Sequence, residues 1–247
     1  MKLWSRWKRQ WRRLETSGLM RLVKRRTRQL IGTELRHFVQ VRVPKERYGG
    51  WTLSPGGLEA GSVVYSFGVG DDVTFELALI ARYGVEVHAF DPTPVSIAWV
   101  ESRQLPAGFH FHAYGVANYD GVAWFNPPVN PANSYTMLQR PQTANAAVAG
   151  AVYRLPTILQ LLGHDRIDLL KLDIEGVEYP VIDELLAAGI EVRQLLVEFH
   201  HRWPNVGRAR TQRAVDMLGE RGYRIIAISW AGSEYSFIRV AESGRGR

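Results

Sequence analysis

Between Ser62 and Ala113 three short apolar runs alternate with two helical stretches, and few folds accommodate that rhythm. Residues 62–67 read as a strand, Gly68-Val69-Gly70 as a turn, and 72–83 as a helix. Residues 85–90 read as a second strand closed by Asp91-Pro92, and Thr93 with Pro94 opens a helix that runs to about Gln104. Residues 109–113 form a third strand. Strand, helix and strand in such short alternation predict a parallel sheet covered on both faces. Residues 115–152 break the rhythm with Pro, Asn and Ala, so they read as an insertion or lid holding one strand at 122–125. Order returns with a helix at 156–162, a strand at 168–172, a helix at 177–188, a strand at 192–199 and a helix at 206–221. Residues 223–229 and 234–240 are strands joined by Trp230-Ala231-Gly232-Ser233, too short for a crossover, so they must pair antiparallel. The expected fold class is α/β, a Rossmann-like, mostly parallel seven-stranded sheet ending in an antiparallel hairpin.

Charge divides the chain where the pattern does. Residues 1–47 carry fifteen Lys and Arg against Glu15, Glu34 and Glu46, whereas 48–247 carry sixteen basic and twenty-one acidic side chains. The expected division is a basic, Trp-rich tail, 1–47, and a catalytic domain, 48–247. From Leu3 to Leu30 the residues Leu3, Trp4, Trp7, Trp11, Leu14 and Leu22 share one arc of a helix, opposed by Lys2, Arg6, Arg9, Arg12 and Arg13. Such a helix suits an anionic membrane surface, and equally a packing face toward the body or a second copy. Nucleic acid ranks behind both, because the acidic body would repel a phosphate backbone. Residues 40–61 read as turns. The chain has no cysteine, which excludes disulfides, thiolate metal sites and a thiol nucleophile. It also lacks the ~18 uninterrupted apolar residues of a membrane span and a secretory leader, so the expected place is the cytoplasm, peripheral at a membrane if the tail binds one.

Three loci carry residues fit for chemistry. Gly68-Val69-Gly70 is a turn in which backbone approaches a ligand closely, but Val73 stands where a dinucleotide site wants a third glycine. Asp71 and Asp72 at the helix start oppose a pyrophosphate and suit a ligand with a cationic amino-acid end, as S-adenosylmethionine has. A plain turn capped by Asp72 is the simpler alternative. Asp91, twenty-one residues past Gly70, stands where a carboxylate accepts hydrogen bonds from ribose hydroxyls, although Asp before Pro is also a common turn former. The fourth strand leaves the sheet through Asp173-Ile174-Glu175-Gly176-Val177-Glu178, three carboxylates at the end where ligands of open parallel sheets bind. Glu198 and His200 alternate to one side of the fifth strand, and His201 follows. Asn126-Pro127-Pro128-Val129 looks like the Asn-Pro-Pro-aromatic motif of amino-methylating enzymes. It lacks the aromatic and precedes the fourth strand, so it reads as a loop.

The run Lys171-Leu172-Asp173-Ile174-Glu175-Gly176-Val177-Glu178 resembles the signature of the FkbM-type S-adenosylmethionine-dependent methyltransferases, and Ser66-Phe67-Gly68-Val69-Gly70 with Ala89-Phe90-Asp91-Pro92 resembles their cofactor half, over about residues 48–240. The resemblance implies methyl transfer to an oxygen, usually a hydroxyl on a sugar or natural product. The sheet ending in an antiparallel hairpin likewise resembles the arrangement of class I methyltransferases. The expected cofactor contacts are Ser66, Gly68, Gly70, Asp71, Phe90, Asp91, Gly115 and Asp173, and the expected catalytic residues, at the ends of the fourth and fifth strands, are Asp173, Glu175 and His200. Ser66 replaces the acidic residue often found before the Gly-x-Gly, and the tail lies outside the family domain. A hydroxyl acceptor needs a base or a metal, and Asp173, Glu198 and His200 could hold a divalent ion or form a metal-free acid–base site. The expected partner is a small-molecule or glycan acceptor. The competing expectations are a non-catalytic adaptor of the same fold at a membrane, and an RNA methyltransferase supported by the basic tail alone.

Overall fold

The computed structural model describes residues 18–129, 134–138 and 146–240. Trp4, Trp7 and Trp11, and the tail arc they define, lie outside the described residues. The described chain begins with helix α1 (Gly18–Leu30) and a hairpin of β1 (Glu46–Tyr48) and β2 (Trp51–Leu53). The sequence reading left that hairpin as turns, because three-residue strands are too short to show a period. Its turn is Gly49-Gly50, both at positive φ. A Cβ on Gly49 would stand 2.6 Å from the Phe75 backbone nitrogen, so glycine here lets the hairpin press against the helix that follows.

The body runs β3 (Val63–Phe67), α2 (Thr74–Tyr83), β4 (Glu86–Phe90), α3 (Pro94–Glu101) and β5 (Phe109–His112). Strands β6 (Gly115–Val116), β7 (Gly121–Phe125) and β8 (Val148–Tyr153) follow, then α4 (Leu155–Leu162), β9 (Ile167–Leu172), α5 (Glu178–Ala187), β10 (Val192–Glu198) and α6 (Arg208–Glu220). The chain closes on the hairpin β11 (Tyr223–Ile228) and β12 (Glu234–Arg239). Seven strands form one sheet in the order β11-β12-β10-β9-β3-β4-β5. Only β12 runs against the others, inserted between β10 and β11. The expected α/β sheet ending in an antiparallel hairpin is thus present. Every residue of β9 is buried, as a central strand covered on both faces requires. One face packs Tyr65, Phe67, Leu170 and Leu172 on α4, α5 and α6, and the other packs Val64, Leu79, Val87 and Leu169.

The insertion is more ordered than its composition suggests. β6, β7 and β8 make a separate three-stranded sheet, with β8 central. Its Gly115, Val116 and Phe125 line one cavity together with Gly68, Asp91 and Asp173, and Gly115 and Gly150 lie against Pro92. Described residues of the 1–47 segment also contact the body: Gln40 donates its N–H to the Ile225 carbonyl at 2.8 Å, and Gly18 sits against the Trp230 ring.

Candidate active site

Strand order reverses between β3 and β9, which is where a crevice opens in a sheet of this kind. A cavity of about 590 Å³ lies there, a size suited to a cofactor plus part of an acceptor. Gly68 holds the junction. Its φ is +86°, and a Cβ on it would lie 1.9 Å from the Asp173 carbonyl oxygen, so the turn after β3 and the exit of β9 meet backbone to backbone. The Gly68 N–H donates to the Phe90 carbonyl and the Asp173 N–H to the Phe67 carbonyl, which ties all three strand ends together.

Asp91 fixes the loop from the other side. One carboxylate oxygen accepts the N–H groups of Val69 and Gly70, each at 3.1 Å, and the other accepts the Thr93 N–H at 2.9 Å and the Thr93 hydroxyl at 2.6 Å. Four donors are the usual capacity of a carboxylate, so Asp91 as placed holds the glycine turn together. Asp72 accepts the Thr74 N–H at 2.9 Å, and α2 begins two residues later than the sequence suggested.

Of the residues singled out from sequence, Gly68, Gly70, Asp71, Phe90, Asp91, Gly115, Asp173 and Glu175 line the cavity, whereas Ser66, Glu198 and His200 do not. Ser66 is fully buried and donates its hydroxyl to Glu76 at 2.5 Å. Glu76, which the sequence does not single out, and Lys171, the first residue of the signature run but without an expected role, reach the cavity instead. The signal was present: Glu76 follows Phe75 on the buried side of α2, and Lys171 interrupts an apolar strand. Pro127 and Pro128, read as an ordinary loop, form part of the wall beside Tyr135 and Met137.

The signature after β9 has unusual backbone. Glu175 has φ 55°, alone among the described non-glycine residues, and its carbonyl accepts the Thr136 hydroxyl at 2.6 Å. Non-glycine residues in this region concentrate at functional sites because the surroundings must enforce them. Behind it, His200 Nδ1 lies 2.8 Å from Glu178 and Nε2 3.4 Å from Glu175. Burial opposes a charge on His200, but hydrogen bonds donated to the Glu175 and Glu178 carboxylates, and their charge, outweigh it and lift the imidazole to about 11. His200 is therefore a cation clamped between two carboxylates. Burial, and then the neighbouring Asp173, push Glu198 up to about 8. Burial likewise raises Asp173, against the pull of Lys171.

Donor atoms of Asp173, Glu175 and His200 lie within 4.8 Å of one another, the span an ion would need, and Glu198 is not among them. As arranged the imidazole faces carboxylates through both nitrogens, so binding an ion would require His200 to give up its proton and its contact with Glu175. The cavity fits a cofactor with a cationic amino-acid end better, being walled by Asp71, Asp72, Glu76 and Asp173 with Lys171 as its cation.

Comparison with known proteins bears on this site. Residues 62–225 match the family model described as the methyltransferase FkbM domain, more than half of the chain. Human "Probable methyltransferase-like protein 24" is 33% identical over 144 residues, covering 57% of this chain and 33% of the relative. The rat protein of the same name is 32% identical over the same length. The chain thus spans about a third of the length of these curated relatives. Among solved structures, a fibrillarin pre-rRNA processing protein of Methanococcus jannaschii aligns over 75% of this chain and 68% of its own at 10% identity, with a TM-score of 0.46.

Proposed function

From the methyltransferase FkbM domain family, to which this chain belongs, we propose that the protein is an S-adenosylmethionine-dependent methyltransferase acting on a hydroxyl oxygen of a sugar, glycolipid or natural product. The observation that carries the reading is the meeting of the glycine turn with Asp173 at one cavity, inside the residues that match the family. When bound, S-adenosylmethionine supplies an electrophilic methyl group on a sulfonium. Gly68 and Gly70 let backbone approach it, and the acidic wall suits its positive charge. Phe67 and Phe90, stacked with ring centroids 4.3 Å apart, give the cavity an apolar floor.

Asp173 then acts on the acceptor. As the carboxylate that both lines the cavity and neighbours Glu198, it would take the hydroxyl proton as the acceptor oxygen bonds to the methyl carbon and the carbon–sulfur bond breaks, its electron pair leaving on a neutral thioether. Glu198 shares the burden of that proton, and the cationic His200 holds Glu175 and Glu178 in place. The test is Asp173→Asn, which keeps volume and removes the base. Methyl transfer to an identified acceptor should fall by roughly 10²-fold or more, with cofactor binding kept within about tenfold. Full activity in the Asn variant would make Asp173 structural. Chelator should leave the unmodified enzyme's rate unchanged.

We propose further that α1 rests on an anionic membrane surface, with a glycolipid or lipid-linked sugar as a natural acceptor there. The support is the outward face of the helix, where Leu19, Val23 and Leu30 are exposed among Arg21, Lys24 and Arg26.

A further inference from the structure

Glu76 is 1% exposed, lines the cavity, and has one carboxylate oxygen, Oε2, with no hydrogen-bond partner among the described residues. The other oxygen is fully engaged: Oε1 accepts the Ser66 hydroxyl at 2.5 Å and lies 3.7 Å from Lys171 Nζ. Lys171 is itself fixed, donating to the Gly68 carbonyl at 3.0 Å and standing 5.4 Å from the centre of the Trp51 ring. The carboxylate is thus held at one oxygen by a strand hydroxyl and a lysine that also grips the glycine turn, while the other oxygen is buried without a donor. A buried acceptor without a donor is costly, and folded proteins keep few of them. Because the residue lines the cavity, a ligand bound there that brings a donor can supply the missing partner.

Resting on the methyltransferase reading, we propose that Glu76 is the residue that recognises the amine of the cofactor's amino-acid end, and so selects S-adenosylmethionine over nucleosides lacking that end. Ser66 stands on the strand just before the glycine turn. The structure delivers a carboxylate to the same neighbourhood from helix α2, with Ser66 turned into its support. Lys171 keeps the buried charge tolerable. It also couples the position of Glu76 to the turn, through Gly68.

The experiment titrates the full chain with S-adenosylmethionine and with 5′-methylthioadenosine, which shares the nucleoside and sulfur but has no amine. Glu76→Gln keeps the shape and the acceptor for Ser66 and removes the charge. It should weaken S-adenosylmethionine on the order of tenfold to a hundredfold, as loss of a charged hydrogen bond does, and leave 5′-methylthioadenosine within about threefold. Unchanged S-adenosylmethionine affinity, or equal loss for both ligands, overturns the assignment. If the variant does not fold, the unmodified protein decides: an analogue of S-adenosylhomocysteine lacking only the amine should bind at least about tenfold more weakly than its parent, and equal binding overturns the assignment. If the unmodified protein binds neither nucleoside, the methyltransferase reading fails and this inference falls with it. Binding of both, with no discrimination lost in Glu76→Gln, sinks the inference alone.

Discussion

At the scale of single residues the site turns on Gly68. An alanine there would put its Cβ 1.9 Å from the Asp173 carbonyl oxygen at a φ of +86°, and neither backbone can retreat while β3 and β9 stay paired. Gly68→Ala should cost on the order of 3 kcal/mol and abolish cofactor binding, read by calorimetric unfolding and ligand titration. A variant with the parent's melting temperature and affinity would show that the turn relaxes. The Gly-x-Gly was legible in the sequence because its demand is local. Asp91 was legible only in part: its place at the strand end is a matter of spacing, but its four donors come from a loop folded back on it. Glu76 was not legible, since what defines it is the convergence of Ser66 from β3 and Lys171 from β9 on one helical side chain.

At the scale of elements, the edge strand β5 and its neighbour β4 gather imidazoles. His88 Nδ1 lies 3.0 Å from His112 Nε2, His110 stacks on His88 with ring centres 4.8 Å apart, and His164 meets His88 edge-on at 4.7 Å. Glu86 pairs with His110, and the Tyr65 hydroxyl meets His164 Nδ1. Burial first, and then the surrounding imidazoles, press His88 down to about 3 and His112 to about 4. Folded values below the ordinary value of about 6.5 mean that the unfolded chain takes up protons first. Stability conferred by these histidines is therefore present above about pH 6.5 and lost as pH falls toward 4. His200, shifted the other way, loses its contribution only as pH rises toward 11. Replacing His88 by Phe should shrink the fall in melting temperature between pH 7 and pH 5, and parallel curves for variant and parent would refute the account. Strands at this level were readable where apolar runs alternate with helices. They were not in β6 and β8, where a two-residue strand and the run Val148-Ala149-Gly150-Ala151-Val152 carry too little side chain to show a face. The sheet they form depends on pairing across a long connection.

At the scale of the whole molecule, the division of charge is clear in sequence but does not coincide with a division of packing. Glu34, inside the basic segment, is buried, and although burial opposes its charge, hydrogen bonds from His201 and Arg202 pull it down to about 2. Arg25 donates to the Ser229 carbonyl at 3.3 Å, and Arg36 to the Gln29 carbonyl at 2.8 Å. Glu34 thereby clamps the basic segment to the loop after β10, one residue from His200, and Arg25 ties it to the turn between β11 and β12. Helical spacing alone could assign an arc to Leu22 but could not say which arc the body would take. The face left outward carries Leu19 at 68% and Val23 at 50% exposure, with Ile31 and Phe38 exposed beyond the helix end. Apolar side chains interleaved with Arg21, Lys24 and Arg26 gain free energy from both acyl chains and anionic headgroups, whereas a protein partner would have to match both patterns by shape. Replacing Leu19 and Val23 together by Glu removes the apolar contact and lowers the local positive charge without touching a buried group. Binding to phosphatidylserine-containing vesicles in a sedimentation assay should weaken by tenfold or more, on the scale of about 1 kcal/mol per charged residue near such a surface, with the melting temperature unchanged. Vesicles of phosphatidylcholine alone should bind neither protein. A parent chain that ignores anionic vesicles, or a double variant that binds them as the parent does, would remove the membrane from the account and leave the exposed stripe to a second protein surface.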